Sequence, residues 1–286
     1  MNQIVNKIYF ILLFSLILFS CTTPQIEEPA TLVPEPKIVK EPPKPQQSIQ
    51  INPAEAEIIG RKIWMNEGLA QAQNLTVWHQ DDTFASLGIA HFIWYPMEQK
   101  KPAPESFPRF LTFLQQQGIE IPTWLQNRPT CPWNSRREFY NDIDSPQMVS
   151  LRHWLEQIIS HQTQFLVQVL EKETLPEILA VLPTEKQRLH VREQFYRVAQ
   201  KPVGIYALID YINFQGKGLS PTKRYQAQGW GLLQVLENIE NSKNVMAAFA
   251  NAADKVLTAR VQNAPQDESY RLPGWRNRLK TYTYEF

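Results

Sequence analysis

The chain has few cysteines and no strong charge of either sign. Its 286 residues include two cysteines, and the formal net charge at pH 7 is +1. Because nucleic-acid-binding proteins usually carry a marked basic bias, we expect no nucleic-acid partner. The apolar run at residues 8–19 is shorter than the ~20 residues that a membrane-spanning helix needs. This run therefore argues against a spanning helix at the start of the chain.

Several motifs of metal and nucleophilic sites are also missing. The five histidines show no His-x-x-x-His spacing, and the cysteines form no Cys-x-x-Cys pair. No Gly-x-Ser-x-Gly elbow is present for serine chemistry. The sequence thus predicts no metal site, no cofactor and no serine hydrolase. The histidines are His79, His91, His153, His161 and His190.

The first residues are typical of an export signal. Lys7 precedes the apolar run, which ends at Leu18-Phe19-Ser20-Cys21. This ending resembles the lipobox of bacterial lipoproteins. The resemblance implies that residues 1–20 are a signal peptide and that Cys21 carries a lipid anchor. Thr22, which follows, implies the outer membrane, facing the periplasm. The alternative is a plain signal peptide with an incidental cysteine.

A proline-rich linker is predicted next, over residues 21–50. Prolines alternate there with glutamates and lysines, and no aromatic residue occurs. Such a segment buries too little apolar surface to fold, and as an extended chain it spans ~3 Å per residue. A lipid on Cys21 would therefore hold the following domain within reach of the cell wall. Cys131, left without a partner, is expected to be a small buried residue.

Residues 51–286 are predicted to form a mainly α-helical domain with a small β-hairpin. The hairpin is expected over 75–95, because aromatic and β-branched residues flank the polar turn 79–82. Asn52-Pro53 is typical of a helix start, and helical spacing of apolar residues continues from there to about residue 69. Further helices are predicted at 107–117, 146–172, 184–199, 203–214, 222–240, 243–262 and 273–282.

Two segments resemble the active-site region of phage-type lysozymes. Asn66-Glu67-Gly68-Leu69 is followed by Ser86-Leu87-Gly88-Ile89-Ala90-His91-Phe92, where that family has Glu-Gly-Leu and then Thr-x-Gly-Ile-Gly-His-Leu. A weaker match to the family's Trp-x-x-x-x-Pro-x-Arg region lies at Pro273-Gly274-Trp275-Arg276-Asn277-Arg278. The resemblance implies a lysozyme-like fold and glycosidic cleavage of peptidoglycan, with Glu67 as the catalytic acid.

Glycosidic cleavage explains why carboxyl groups would be needed here. A carboxylic acid protonates the leaving oxygen, and an apolar setting keeps it protonated at neutral pH. In an inverting hydrolase a second carboxylate activates water. Asp81 and Asp82 are the candidates, with Ser86 holding the water, although the family's aspartate aligns with Gln80. Without a placed aspartate, the single-glutamate chemistry of lytic transglycosylases is the alternative, and both aspartates would simply form the turn.

Other residues are predicted to bind the substrate. Aromatic rings stack on sugars and amide side chains bind hydroxyls, so Asn213, Tyr225 and Gln228 are assigned to the other wall of a cleft. His91 is assigned to the substrate side, with pairing to a buried carboxylate as the alternative. Segments 212–216 and 231–234 resemble lytic transglycosylase motifs in reversed order. The alternative for this region is an ordinary loop with packing aromatics.

The sequence therefore predicts a lipid-anchored envelope protein that cleaves peptidoglycan glycan strands. Two rival hypotheses stay open. One is a module of the same fold that binds glycan without cutting it. The other is a structural lipoprotein of an envelope complex, which would have no affinity for glycan strands.

Overall fold

A computed structural model describes residues 48–97, 101 and 104–286. The predicted signal peptide, Cys21 and nearly all of the predicted linker lie outside these residues. At the start of the described part, Ile49 is buried and its N–H donates to Glu171 Oε1 at 2.8 Å.

The described chain is mainly helical, as predicted, with one small antiparallel sheet. Its α-helices are α1 Pro53–Gly68, α2 Phe107–Gln116, α3 Arg136–Asn141, α4 Pro146–Gln157, α5 Ile159–Val169, α6 Leu175–Ala180, α7 Glu185–Val198, α8 Pro202–Gln215, α9 Leu232–Glu237, α10 Val245–Asn263 and α11 Leu272–Lys280. The strands are β1 Thr76–Val77, β2 Ala85–Leu87 and β3 Phe92–Trp94.

The sheet has three strands in the order β1-β2-β3, one more than a simple hairpin. In register, Ser86 faces Val77 on one side and Ile93 on the other. The extra strand follows from a second turn, in which Gly88 has φ +76° and His91 N–H donates to Gly88 O at 3.3 Å. Glycine adopts this φ at little cost.

Two helix predictions were wrong in extent. The helix predicted over 146–172 breaks at Ile158 and then continues through a π-helical turn, Leu170–Thr174, into α6. The helix predicted over 222–240 is reduced to α9, because Gln226 and Ala227 adopt positive φ values of 48° and 63°. The short helix α3, which begins at the Ser135 cap, was not predicted.

Helix α1 is the central element that positions the candidate acid. Asn52 caps it and forms a capping box with Glu55. It packs against α5 and α8. At Gly60 the approach to α5 is so close that a Cβ would lie 2.4 Å from Thr163 Oγ1. The end of α1 that carries Glu67 is therefore fixed against the core.

Candidate functional site

Glu67 lies in the last turn of α1, half-buried beside the end of the helix. Gly68 follows, and a Cβ there would lie 3.0 Å from the Trp64 ring, so this turn is tightly packed. Leu69 and Ala70 then take φ values of 53° and 51°. Two successive non-glycine residues in the left-handed region are energetically costly. The chain thus leaves α1 abruptly, next to the Glu67 carboxylate.

The carboxylate of Glu67 is bound by an arginine from the far end of the chain. Arg278 Nη2 donates to Glu67 Oε1 at 2.5 Å, across a separation of 211 residues. Oε2 accepts no hydrogen bond from the residues that the structure describes. Arg278 stands on α11, in the weaker match at residues 273–278. This weaker match and the segment that contains Glu67, distant in sequence, are therefore adjacent in space.

Arg278 is held in place by a fully buried aspartate on α8. Asp210 is 0 % exposed, and its two oxygens accept from Nε and Nη2 of Arg278, each at 2.8 Å. Such a two-pronged pair fixes the plane of the guanidinium. The bonds to Asp210 and Glu67 raise the pKa of Arg278 above its ordinary value, against the opposing effect of burial. Arg278 is therefore a fixed positive charge beside Glu67.

Three further side chains complete this buried network. Tyr282 donates to Asp210 at 2.6 Å, and Asn66 donates to both Asp210 and the Tyr206 hydroxyl at 2.8 and 2.7 Å. Burial, with the nearby Asp210 charge, raises the pKa of Tyr206 to about 12. Tyr206 therefore stays neutral and able to donate at physiological pH. Asn66 belongs to the same Asn-Glu-Gly-Leu segment as Glu67, so the network reaches directly into the candidate site.

His91 lies next to Glu67 at the second turn of the sheet. Its backbone has φ 52°, and its ring is 5.6 Å from that of His79. Burial lowers the pKa of His91, while the charges of Glu67 and Asp82 act in the opposite direction. Its Nδ1 is buried without a described partner, as is Nε1 of Trp64 beside Gly68. Buried polar atoms of this kind are rare and call for an explanation.

The predicted second carboxylates lie in the turn between β1 and β2. Asp81 is exposed and Asp82 is half-buried. The backbone of Asp82 is tied to this turn, since its N–H donates to His79 O at 3.2 Å and its carbonyl accepts from Trp78 Nε1 at 2.8 Å. Of the two, Asp82 is the one whose charge acts on His91. Ser86 is buried, 2 % exposed, in the middle strand of the sheet.

The residues predicted for the opposite wall surround the loop between α8 and α9. Asn213 is exposed on α8. Tyr225 packs on Trp230, with ring centres 4.6 Å apart, and donates to Glu268 at 3.0 Å. Gln228 accepts from Asn263 at 3.0 Å.

A stack of rings and guanidinium groups connects this wall to Glu67. Arg260 lies 4.4 Å from the Trp230 ring centre and 4.9 Å from that of Trp275. The ring centres of Trp275 and Phe214 are 6.0 Å apart, and the guanidinium of Arg278 lies 4.7 Å from the ring centre of Phe214. Tyr225, which packs on Trp230, is thus joined to the Glu67 region by a continuous series of side-chain contacts.

Sequence reasoning missed Asp210, Arg260 and Arg278 as site residues. One signal was available for Asp210, because an acidic residue in the otherwise apolar helix 202–212 needs a partner if that helix is buried. Nothing local in the sequence pairs it with Arg278, 68 residues away. The partner becomes visible only in the fold.

Non-glycine residues with positive φ are concentrated beside Glu67 and in the loop between α8 and α9. Among the described residues, Leu69, Ala70 and His91 have positive φ beside Glu67, and Gln226 and Ala227 have it in the opposite loop. The remaining non-glycine example is Asn127. Strained backbone persists where the surroundings enforce it, and it clusters at functional sites.

The described part of the chain contains neither a cluster of metal ligands nor a helix able to cross a membrane. No three His, Cys, Asp or Glu side chains converge there as a metal site. None of the helices in residues 48–97, 101 and 104–286 combines the length and apolarity needed to cross a membrane.

Comparison with known proteins adds no relative. No protein-family model, no curated protein and no solved structure matches the chain.

Proposed function

We propose that this chain is an envelope-anchored enzyme that cleaves the glycan strands of peptidoglycan through a lysozyme-like domain. One observation carries the proposal. The 2.5 Å contact between Arg278 and Glu67 joins the first segment of the sequence resemblance to its weaker match at 273–278, across 211 residues. A chance likeness of two short segments would give no reason for them to meet in the fold.

In the proposed mechanism Glu67 supplies the proton for the leaving oxygen. Its Oε1 is bound by Arg278, whereas Oε2 has no described partner, so Oε2 is the oxygen that would carry this proton. Arg278 is itself fixed by Asp210. Arg278 and Asp210 are therefore positioning residues, which hold the Glu67 side chain towards the bound glycan.

The second half of the reaction has two forms. In hydrolysis Asp82 or Asp81 would activate a water held by Ser86. In transglycosylation a hydroxyl of the sugar itself would attack, and neither aspartate would be needed. His91, between the charges of Glu67 and Asp82, is proposed to contact the substrate in both forms. The ends of the released fragments distinguish the two, because hydrolysis leaves a reducing end and transglycosylation a 1,6-anhydro end.

The second candidate function is glycan binding without cleavage. The ion pair between Glu67 and Arg278 favours this second function, because it gives Glu67 a purely structural role. The burial of Ser86 also favours it, since a serine inside the sheet is poorly placed to hold a water molecule. Under this hypothesis Glu67→Gln keeps full biological function.

The proposed place of action is the cell envelope. Cys21 would carry the lipid and residues 22–47 would span the distance to the wall, both outside the described residues. A glycan network within reach of such a tether is the proposed substrate.

The test is digestion of purified peptidoglycan sacculi by the full-length chain in detergent. We expect soluble fragments from the wild type and a reduction on the order of 10²- to 10⁴-fold for Glu67→Gln, the usual contribution of an acid catalyst. Glu57→Gln is the matched control, since Glu57 stands on the same helix in a surface pair with Arg61. Sacculus binding without release by the wild type would favour the binding module. Absence of binding would favour the structural lipoprotein.

A further inference from the structure

A cavity of about 310 Å³ lies under the loop that follows α8. Residues 215–220 form one side, and Lys223, Trp230 and Gly231 lie on the lining as well. The mechanism above makes no use of this space.

The loop over the cavity is built with a geometry that side chains would prevent. Gly218 has φ +84°, and a Cβ there would lie 2.1 Å from Gln234 Oε1. A Cβ on Gly231 would lie 2.1 Å from the Gly218 nitrogen. Both glycines are therefore required for this close approach of the loop to α9.

Three successive carbonyls at the start of the loop, those of residues 216–218, bind α9. Gly216 O and Lys217 O accept from the N–H groups of Leu232 and Leu233 at 3.0 and 3.1 Å. Gly218 O accepts from Gln234 Nε2 at 3.3 Å. In a trans peptide the N–H points away from its carbonyl.

The three following N–H groups, those of Lys217, Gly218 and Leu219, therefore point away from the groups that bind those carbonyls. They donate to no acceptor among the described residues. Successive free N–H groups in a curved loop form a site for an anion.

The charged side chains at the cavity favour an anion as well. Glu177 and Lys217 form an ion pair at 2.6 Å and compensate each other. Lys223 is exposed and forms no ion pair within the described part of the chain. Gln215 uses its Oε1 to accept from Arg260 at 2.8 Å, which leaves its amide nitrogen as a donor. Residues that carry free donors and one uncompensated positive charge thus line the space.

The cavity shares helix α8 with the network that holds the candidate acid. Asp210, which holds Arg278 at Glu67, and Gln215 stand on the same helix, and a separation of five residues corresponds to ~7.5 Å along its axis. Gln215 binds Arg260, whose guanidinium lies over Trp275, and Trp275 packs on Phe214 beside Arg278. The cavity is thus connected to the Glu67 region by packed side chains.

We propose that this cavity is a subsite for a carboxylate of the glycan's peptide stem, bound by the loop N–H groups and Lys223. The inference rests on the proposed function, because it takes peptidoglycan as the ligand. It adds that the protein recognises an acidic, peptide-bearing strand and discriminates against a strand whose carboxylates are amidated.

The test uses disaccharide-peptide fragments with free stem carboxylates and the same fragments after chemical amidation. Their binding is measured by calorimetry to the full-length chain in detergent, carrying Glu67→Gln so that no turnover occurs. We expect Lys223→Gln to weaken binding of the free-carboxylate fragments roughly 2- to 5-fold. Amidation should weaken binding at least as much, because it also removes the charge that faces the loop N–H groups. Lys223→Gln should then add nothing to the loss caused by amidation.

The matched control is Lys243→Gln, an exposed lysine that lines a different cavity, which should leave both affinities unchanged. Equal affinity of Lys223→Gln and its parent for the free-carboxylate fragments overturns the subsite while sacculus digestion by the wild type continues. If no fragment binds and the wild type releases nothing from sacculi, the subsite and the proposed function both fail.

Discussion

The Glu67 region and the loop between α8 and α9 are fixed in different ways. At Glu67, groups from α1, α8 and α11 meet in a buried polar network centred on Asp210. The loop is fixed by glycine geometry and by one partly exposed arginine, Arg260, which binds Glu268 at 2.9 Å and Gln215 at 2.8 Å. The first region depends on a buried charged network, and the second on backbone shape and one partly exposed arginine. Substitutions should therefore be most costly in the first.

The largest effect is expected for Asp210→Asn. This change removes the buried charge that balances Arg278, and loss of one member of a buried pair costs about 3–5 kcal/mol of unfolding free energy. Asp254→Asn is the matched control. Asp254 binds Arg276, which stands on α11 like Arg278, but the side chains of Asp254 and Arg276 are 40 % and 48 % exposed. Such a surface pair contributes about 0–1 kcal/mol. Similar losses in chemical denaturation of both variants would contradict the comparison.

A smaller loss is expected for Gly218→Ala, which tests the local shape of the loop. The added Cβ would meet Gln234 at 2.1 Å in a backbone with φ +84°. Left-handed strain and overpacking together should lower the unfolding free energy by about 2–3 kcal/mol. Gly118→Ala is the control for strain alone, since Gly118 has φ +69° and no atom within 4 Å of the added Cβ. Equal losses for the two variants would mean that the loop has room to relax.

Arg260→Lys should cost about 1–2 kcal/mol, because lysine keeps the charge but loses the planar group that lies between two tryptophans. The guanidinium is 4.4 and 4.9 Å from the ring centres of Trp230 and Trp275. Tryptophan fluorescence should therefore shift together with the melting temperature. Arg109→Lys, in the surface pair with Glu173, should change neither. An unchanged spectrum for Arg260→Lys would show that the stack of rings does not depend on this arginine.

The smallest effect concerns the pH dependence of stability at His91. Its pKa in the folded protein lies below the ordinary 6.5, chiefly through burial, so the folded state binds a proton less readily than the unfolded state. The contribution of His91 to the free energy of unfolding is therefore fully present above pH 6.5. It is lost as the pH falls through the pKa of His91 in the folded protein. His91→Gln should therefore flatten the fall in melting temperature between roughly pH 7 and 5.

The exposed His153 provides the control for this effect. His153→Gln should leave the pH curve unchanged. An identical slope for wild type and His91→Gln would place the titrating group elsewhere, and His161, whose pKa is also lowered by burial, would be the next to test.

The sequence was informative where local patterns determine structure. Asn52 and the apolar spacing that follows it predicted helix α1, and the polar turn at 79–82 predicted the hairpin of β1 and β2. The third strand was not predicted. The segment 222–231 was mistaken for helix, because positive φ at Gln226 and Ala227 contradicts the usual preference of these residue types. The Asp210–Arg278 pair could not be predicted, since it depends on how α8 and α11 pack rather than on any spacing.

The most direct test of the central claim is mass spectrometry of the glycan ends that form when sacculi are incubated with wild type and with Glu67→Gln. Both proteins should first be shown to be folded by denaturation, because Glu67 also binds Arg278. We predict new reducing or 1,6-anhydro ends with the wild type and almost none with the folded variant. Equal amounts of new ends from both proteins, or none from the wild type, would contradict a catalytic role for Glu67.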